Sequence, residues 1–369
     1  MWIFQCPTKI AFGAGVGLTA PETAKAYGDR PVLVSDATVS GVPVVRRVVD
    51  AFVDAPFFGD VCPNPTTENV DALTALLRIE RADVVVAVGG GSVMDCAKAA
   101  ACLAKTDEDH IRAFHSGGRT LPSDAIPLIA MPTTAGTGSE VTPFSVLDDR
   151  EKGFKAPLAG AALYPRCAVV DPELTYSMPR TVTASTGLDA LAHAIEGYWS
   201  VNHQPICDLL AKEAARLIFA HLEVALREPA NASARDAMSY AALLAGMAFQ
   251  LPKNAIVHAG SFPLSNRYHL SHGAACAFLL ESAIELNAPH MDGRMEAFAA
   301  ACGFQDTQAM CARIGELKAL GGLPRTLDDV GIEPADIPVI IKESFHPLVK
   351  NNPKPVTEVD FERIYDSLR

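Results

Sequence analysis

Short apolar runs alternate with segments of helical spacing through the first half of the chain. PVLVSD (31–36), DVVVAV (83–88), IPLIAM (126–131) and CAVVDP (167–172) are continuous apolar runs of strand length, the pattern of strands covered on both faces. Helical spacing takes over at TENVDALTALLRI and SVMDCAKAAACLA, each with a Ser, Thr or acidic residue near its start. This alternation predicts βα units stacked into a mostly parallel sheet. After Pro179 the texture changes to long alanine- and leucine-rich segments such as DLLAKEAARLIFAHLEVAL and ARDAMSYAALLAGMAF, with no strand-like run of comparable quality. The expected organisation is an α/β domain over residues 1–178 and an all-helical domain over 179–369, with a ligand site in the cleft between them.

Length and charge narrow the partners. A chain of 369 residues exceeds one typical domain. Its net charge of −12, with no Lys/Arg run, argues against nucleic acid or a membrane surface, because either needs a basic patch to displace counterions. A small soluble ligand is expected instead. The nine cysteines are odd in number and show no CxxC pair, which suits reduced thiols. Cys102, Cys276 and Cys302 sit among alanines and read as small core residues. No apolar stretch approaches a membrane span and MWIFQCPTKI has no signal-like core, so the cytoplasm is the expected location.

Candidate chemistry concentrates in two places. Gly89-Gly90-Gly91-Ser92 falls where a strand turns into a helix, so backbone can approach a pyrophosphate at a helix N-terminus; a plain turn is the alternative. In TGLDALAHAIEGYW, Asp189 and His193 are four apart on one helix face and can hold one ion together. His258 and His272, in HAGSFPLSNRYHLSHG, could add two imidazoles from neighbouring elements. One Asp and three His make a nitrogen-rich site for Fe²⁺, Zn²⁺, Ni²⁺ or Co²⁺, unlike the oxygen cages of Mg²⁺ and Ca²⁺.

Together CPTKIAFGAG, DVVVAVGGGSVMDCAK, IPLIAMPTTAGTGSEVT and TGLDALAHAIEGY resemble the iron-containing, or group III, alcohol dehydrogenase family, from Pro7 to NNPKPVT. The resemblance implies a dehydroquinate-synthase-like two-domain architecture, a homodimer, one divalent metal with Fe²⁺ foremost, and hydride exchange between a nicotinamide and a short alcohol or aldehyde. It places the adenosine-ribose contact at Asp36, whose carboxylate would repel a 2′-phosphate and favour NAD(H) over NADP(H). It also implicates Asn64, Gly90, Gly91, Ser92, Asp95, Thr133, Thr134, Thr142 and Lys155 in cofactor binding.

Relatives line the substrate pocket at positions matching Phe144, Phe249 and Phe262. Many carry a second histidine in an H-x₃-H-P pattern, where this chain has Phe262 before Pro263. Proton exchange then falls to water, the cofactor ribose or His269. Lys253 and Arg267 flank the histidines, and Lys350 lies in a C-terminal loop that approaches the site in relatives. Jointly they permit an anionic substrate tail, as in phosphonoacetaldehyde or succinic semialdehyde. Two other readings are a dehydroquinate-synthase-like cyclase, which usually uses a glutamate and two histidines, and a dinucleotide-binding protein without chemistry. The D-x₃-H helix and PTTAGTGSE oppose the cyclase; the four ligand candidates oppose the sensor.

Overall fold

The computed structural model describes residues 1–369, the side chain of Phe154 aside. The chain divides into two compact units: Gln5–Thr134 with Gly138–Ser177, and Met178–Arg369 with Met1–Phe4 and Ala135–Thr137. The helical unit thus takes in two short segments that sequence assigns to the first half.

The α/β unit is built on six strands: β1 Lys9–Phe12, β2 Pro31–Val34, β3 Phe57–Phe58, β4 Val84–Gly89, β5 Leu128–Pro132 and β8 Cys167–Val170, all parallel, in the order β1-β8-β5-β4-β2-β3. β4 is central and every residue in it is buried. Side chains alternate between faces along a strand, and the core separates accordingly. Val85 and Ala87 pack with Leu73 and Leu77 of the Thr67–Ile79 helix and with Ala97 and Ala101 of the Gly91–Leu103 helix. Val84, Val86 and Val88 pack on the opposite side with Ala20, Ala24, Val45 and Val48. Helices therefore cover both sheet faces, which is why the strand runs are continuously apolar.

Three of the four predicted strands are shorter than their apolar runs, and β4 keeps the length of its run, shifted by one residue. β2 ends at Val34, leaving Asp36 in a turn, and β8 ends at Val170, so that Asp171 can accept the amide hydrogens of Gly15 at 3.1 Å and Gly17 at 2.9 Å. The Thr67–Ile79 helix opens on a capping box in which Thr66 Oγ1 accepts from Asn69 N at 3.2 Å. An antiparallel hairpin, β6 Phe144–Asp149 with β7 Phe154–Ala159, was not expected from sequence. The alternation of β7 is diluted by Lys155 and Pro157, and pairing with β6, itself anchored through Val146 N to Asp95, makes a strand of it.

Among its described residues the second unit contains helices and no strand. The Arg180–Trp199 helix is buried from Thr183 to Trp199 with Thr186 alone half-exposed, so it is a central element that neighbours surround. Small residues permit this. A Cβ on Gly197 would lie 3.1 Å from the Ala248 carbonyl of the Ala232–Phe249 helix, and one on Gly187 only 2.7 Å from Leu222 of the Pro205–Arg227 helix. No described helix is long and apolar enough to cross a membrane.

Candidate active site

Three helices of the second unit bring one carboxylate and three imidazoles together. Asp189 and His193 project from the Arg180–Trp199 helix, His258 from the first turn of the Ile256–Tyr268 helix, and His272 opens the His272–Asn287 helix. One potential ligand atom from each lies within 4.8 Å of the others. Asp189 Oδ1 stands 3.7 Å from His258 Nε2 and 3.8 Å from His272 Nε2, and the Nε2 atoms of His193 and His258 are 3.0 Å apart. Asp189, His193 and His258 are buried, while the His272 side chain keeps 34% of its surface. The cluster is thus dry on three sides and reachable on the fourth, as a catalytic ion site must be.

Close packing sets this geometry. A Cβ on Gly273 would fall 2.2 Å from the carbonyl oxygen of Ser185 and 3.0 Å from Asp189 Cβ, so only glycine lets the His272 helix meet the Asp189 helix here. Gly136, in the threonine-rich segment, approaches Thr186 equally closely, with a Cβ at 2.7 Å.

The electrostatics suit a cation. Burial pushes the Asp189 carboxyl up to about 6, partly opposed by His258 and Cys276. Burial, with His258 and His272 alongside, holds His193 well below the ordinary histidine value and so keeps it neutral. Asp189 Oδ1 is buried with no hydrogen-bond partner. An orphaned carboxylate oxygen facing imidazole nitrogens costs free energy unless a positive charge lies among them, and this donor set fits a borderline divalent ion.

Two neighbours of the cluster were missed by sequence reasoning. Glu196, fully buried, approaches His258 Nδ1 at 2.5 Å; its place three residues after His193, on the same helix face, was the available signal. Cys276 is buried as expected, but its Sγ lies 3.9 Å from His272 Nε2, so it borders the cluster as well as the core.

Phe249 stacks on His193 with ring centroids 4.1 Å apart, and Phe262, one turn beyond His258, meets the edge of His346 at 4.9 Å. Phe249 therefore borders the cluster directly, while Phe262 packs on the Pro347–Asn351 turn's His346 cap. Lys253 is exposed on the turn before the Ile256–Tyr268 helix, and Lys350 is exposed on the Pro347–Asn351 turn. Asn351 Nδ2 donates to the Asn254 carbonyl at 2.8 Å, tying those two turns together. Arg267 departs from expectation: its guanidinium is held by Glu343 in a two-point ion pair at 2.5 and 2.7 Å, which occupies the charge offered for a substrate tail. His269, offered for proton exchange, is exposed and closes its helix at φ 56°. Phe144 belongs to the α/β unit, at the start of β6.

In that unit the expected cofactor residues gather at the carboxyl ends of β4 and β5. Gly90 is the N-cap of the Gly91–Leu103 helix, whose first amides are left for a ligand, and Thr134 lies 3.5 Å from where a Gly90 Cβ would stand. Thr133 N donates to Gly89 O at 3.0 Å. Asn64, at φ 55°, donates its N–H to Ser92 Oγ at 3.2 Å and accepts from Lys155 Nζ at 3.0 Å, joining three of the residues. Asp36 Oδ1 accepts the amides of Thr38 and Val39 at 2.9 and 2.8 Å, which fixes its carboxylate at the end of β2.

Asp95 is structural in its contacts: it accepts from Ser139 Oγ at 2.6 Å and Val146 N at 2.9 Å. Lys98, unremarked in the sequence, is wholly buried beside it and donates to Ser139 Oγ at 2.7 Å, Phe144 O at 2.9 Å and Thr142 Oγ1 at 3.5 Å. Burial lowers Lys98 to about 8, against the pull of Asp95 and Glu140. This network clamps the segment carrying Thr142 onto the glycine-loop helix.

Residues 7–172 match the family described as iron-containing alcohol dehydrogenase, and residues 183–368 match the C-terminal region of the Fe-containing alcohol dehydrogenase family. The chain belongs to the iron-containing alcohol dehydrogenase family. It is an oxidoreductase of the alcohol dehydrogenase type with the two-domain fold of that family. A long-chain-alcohol dehydrogenase of Geobacillus thermodenitrificans is 33% identical over 99% of this chain and 95% of its own. The sulfoacetaldehyde reductase of Bilophila wadsworthia is 33% identical over 76% of this chain and 73% of its own. Among solved structures, sulfoacetaldehyde reductase from Bifidobacterium kashiwanohense in complex with NAD⁺ aligns with a TM-score of 0.95 at 41% identity, covering 100% of this chain and 98% of that one. A 1,3-propanediol oxidoreductase aligns with a TM-score of 0.94 at 31% identity over the full length of both.

Two substitutions test the cluster. Asp189→Asn should abolish retention of a divalent ion through dialysis, measured by elemental analysis, while the metal-free protein melts at or above the wild-type temperature because a buried unsatisfied charge has been removed. Gly273→Ala should force the two helices apart, costing about 1 to 3 kcal/mol, and should lower both the metal-free melting temperature, by a few degrees, and the ion content.

Proposed function

We propose that this protein is a metal-dependent, NAD(H)-linked reductase and dehydrogenase that interconverts a short aldehyde and its alcohol, with an anionic group on the substrate tail. The observation that carries the reaction class is the buried cluster of Asp189, His193, His258 and His272, with its unpartnered carboxylate oxygen. These four residues would hold one divalent ion, Fe²⁺ foremost. The bound ion would supply Lewis acidity toward the substrate oxygen, and the dinucleotide would supply or accept the hydride.

The protein's own groups orient and select. The amides at Gly91 and Ser92 offer a helix N-terminus to the pyrophosphate, and Thr133, Thr134 and Thr142 offer hydroxyls beside it. Asp36, already aligned by two backbone amides through Oδ1, would accept a ribose hydroxyl with its other oxygen and repel a 2′-phosphate. Phe249 and Phe262 keep the reacting carbon in a dry wall. Lys253 and Lys350, on turns that hydrogen-bond to each other, are the cations we assign to the tail. Support for an anionic tail comes from the 41% identity to a solved sulfoacetaldehyde reductase. Homodimer assembly belongs to the same proposal, by family resemblance.

Asp36→Gly should relax the preference for NAD(H) toward NADP(H), read as the ratio of kcat/KM for the two cofactors; an unchanged ratio would leave Asp36 a turn residue only. For the substrate, kcat/KM with NADH should be roughly tenfold to hundredfold higher for sulfoacetaldehyde, phosphonoacetaldehyde or succinic semialdehyde than for a neutral aldehyde of equal length, the value of one charge-assisted contact of about 1.5 to 3 kcal/mol. Lys253→Ala or Lys350→Ala should erase most of that advantage. Equal rates for neutral and anionic aldehydes in wild type would establish an apolar aldehyde pocket instead.

A further inference from the structure

Glu196 is wholly buried and lies on the same helix as Asp189 and His193, seven residues after the first and three after the second. Both its oxygens are committed to the neighbouring Ile256–Tyr268 helix. Oε1 accepts the N–H of Val257 at 2.7 Å, and Oε2 meets Nδ1 of His258 at 2.5 Å. That helix begins after Ala255, whose side chain can cap nothing, so its first-turn amides lack the partner a Ser, Thr, Asp or Asn would bring. A carboxylate supplied from another helix takes one of those amides and places negative charge at the positive end of the helix dipole.

The second contact has a chemical consequence. A carboxylate is an acceptor only, so the bond to Nδ1 requires the proton of the neutral imidazole to be on Nδ1, and the lone pair is then on Nε2. Nε2 is the atom of His258 that faces Asp189 Oδ1 at 3.7 Å and His193 Nε2 at 3.0 Å. We propose that Glu196 is a positioning residue that selects the Nε2 lone pair of His258 for the ion and locks that imidazole to the N-terminus of its own helix. The inference rests on the reading of the four-residue cluster as the ion site.

Glu196→Gln separates this role from simple packing. An amide has one acceptor and one donor end; with its oxygen on the Val257 amide, its NH₂ faces Nδ1 and turns it into an acceptor, moving the imidazole proton to Nε2. Long-range ¹H–¹⁵N NMR of the metal-free protein, at a pH where the imidazole is neutral, should show His258 protonated at Nδ1 in wild type and at Nε2 in Glu196→Gln. Competition with a chelator for Fe²⁺ or Zn²⁺ should show affinity falling about 10- to 100-fold in the variant. Glu196→Asp keeps an acceptor-only carboxylate and should preserve the Nδ1–H form, which covers the case in which the amide variant folds poorly. A wild-type His258 protonated at Nε2, or a Glu196→Gln protein that holds the ion as tightly as wild type, overturns the proposal. Wild type that takes up no divalent ion in the same titration overturns the ion-site reading instead, and the metal-free tautomer measurement tells the two failures apart.

Discussion

A carboxylate oxygen buried without a hydrogen bond, between imidazole nitrogens of which two stand 3.0 Å apart, is the constraint around which the helical unit is arranged. The unmet carboxylate oxygen is costly there, because burial removes the water that would otherwise satisfy it. The unit tolerates the arrangement because packing elsewhere is dense enough to hold it. The Arg180–Trp199 helix is enclosed nearly along its whole length; glycines at 197 and 273 bring neighbouring backbones into contact, and Gly187 makes room for the side chains of Leu222 and Met238. Stability spent on holding donors together in this way is what would let a cation bind without reorganisation.

The α/β unit solves a different problem with different materials. Its glycine turn after β4 opens a helix whose N-cap, Gly90, brings no capping side chain, and threonines from the end of β5 stand beside it. In a chain of net charge −12 without a basic run, oriented backbone dipoles are the means by which such a turn would favour an anion. The loops are not loosely held. Buried Lys98 and Asp95 share Ser139 as a common partner, so the segment with Thr142 is pinned to the helix that begins at Gly91. Burying an ammonium group in this way is costly unless its donors are met, and three acceptors meet it here.

Phe262 illustrates how a single position redirects a site. The aromatic ring fills the place one turn after His258 and packs against His346, so apolar wall replaces a titratable group there. Phe249, stacked on His193, puts hydrocarbon against one imidazole of the cluster. Low polarity there strengthens the electrostatic contacts made beside it.

Local pattern alone determined much of this protein. Continuous valine-rich runs demanded strands covered on both faces, the four-residue spacing of Asp189 and His193 put a carboxylate and an imidazole on one helix face, and the glycine turn after β4 marked a helix N-terminus, because each of these follows from periodicity and backbone chemistry within a few residues. Contacts between distant segments decided the rest. The β6–β7 hairpin depends on pairing between its strands and on Asp95 and Lys98, which hold β6 from another helix; Arg267 is occupied because Glu343, 76 residues later, reaches it; and His269 ends a helix at the surface. Glu196 and Lys98 looked like ordinary charged residues on helical faces, and nothing local distinguishes a solvated charge from one that packing surrounds with acceptors or an imidazole. Pairing of buried polar groups is a property of the assembled core, so spacing could hint at Glu196 beside His193, but only tertiary structure shows which atoms it and Lys98 meet.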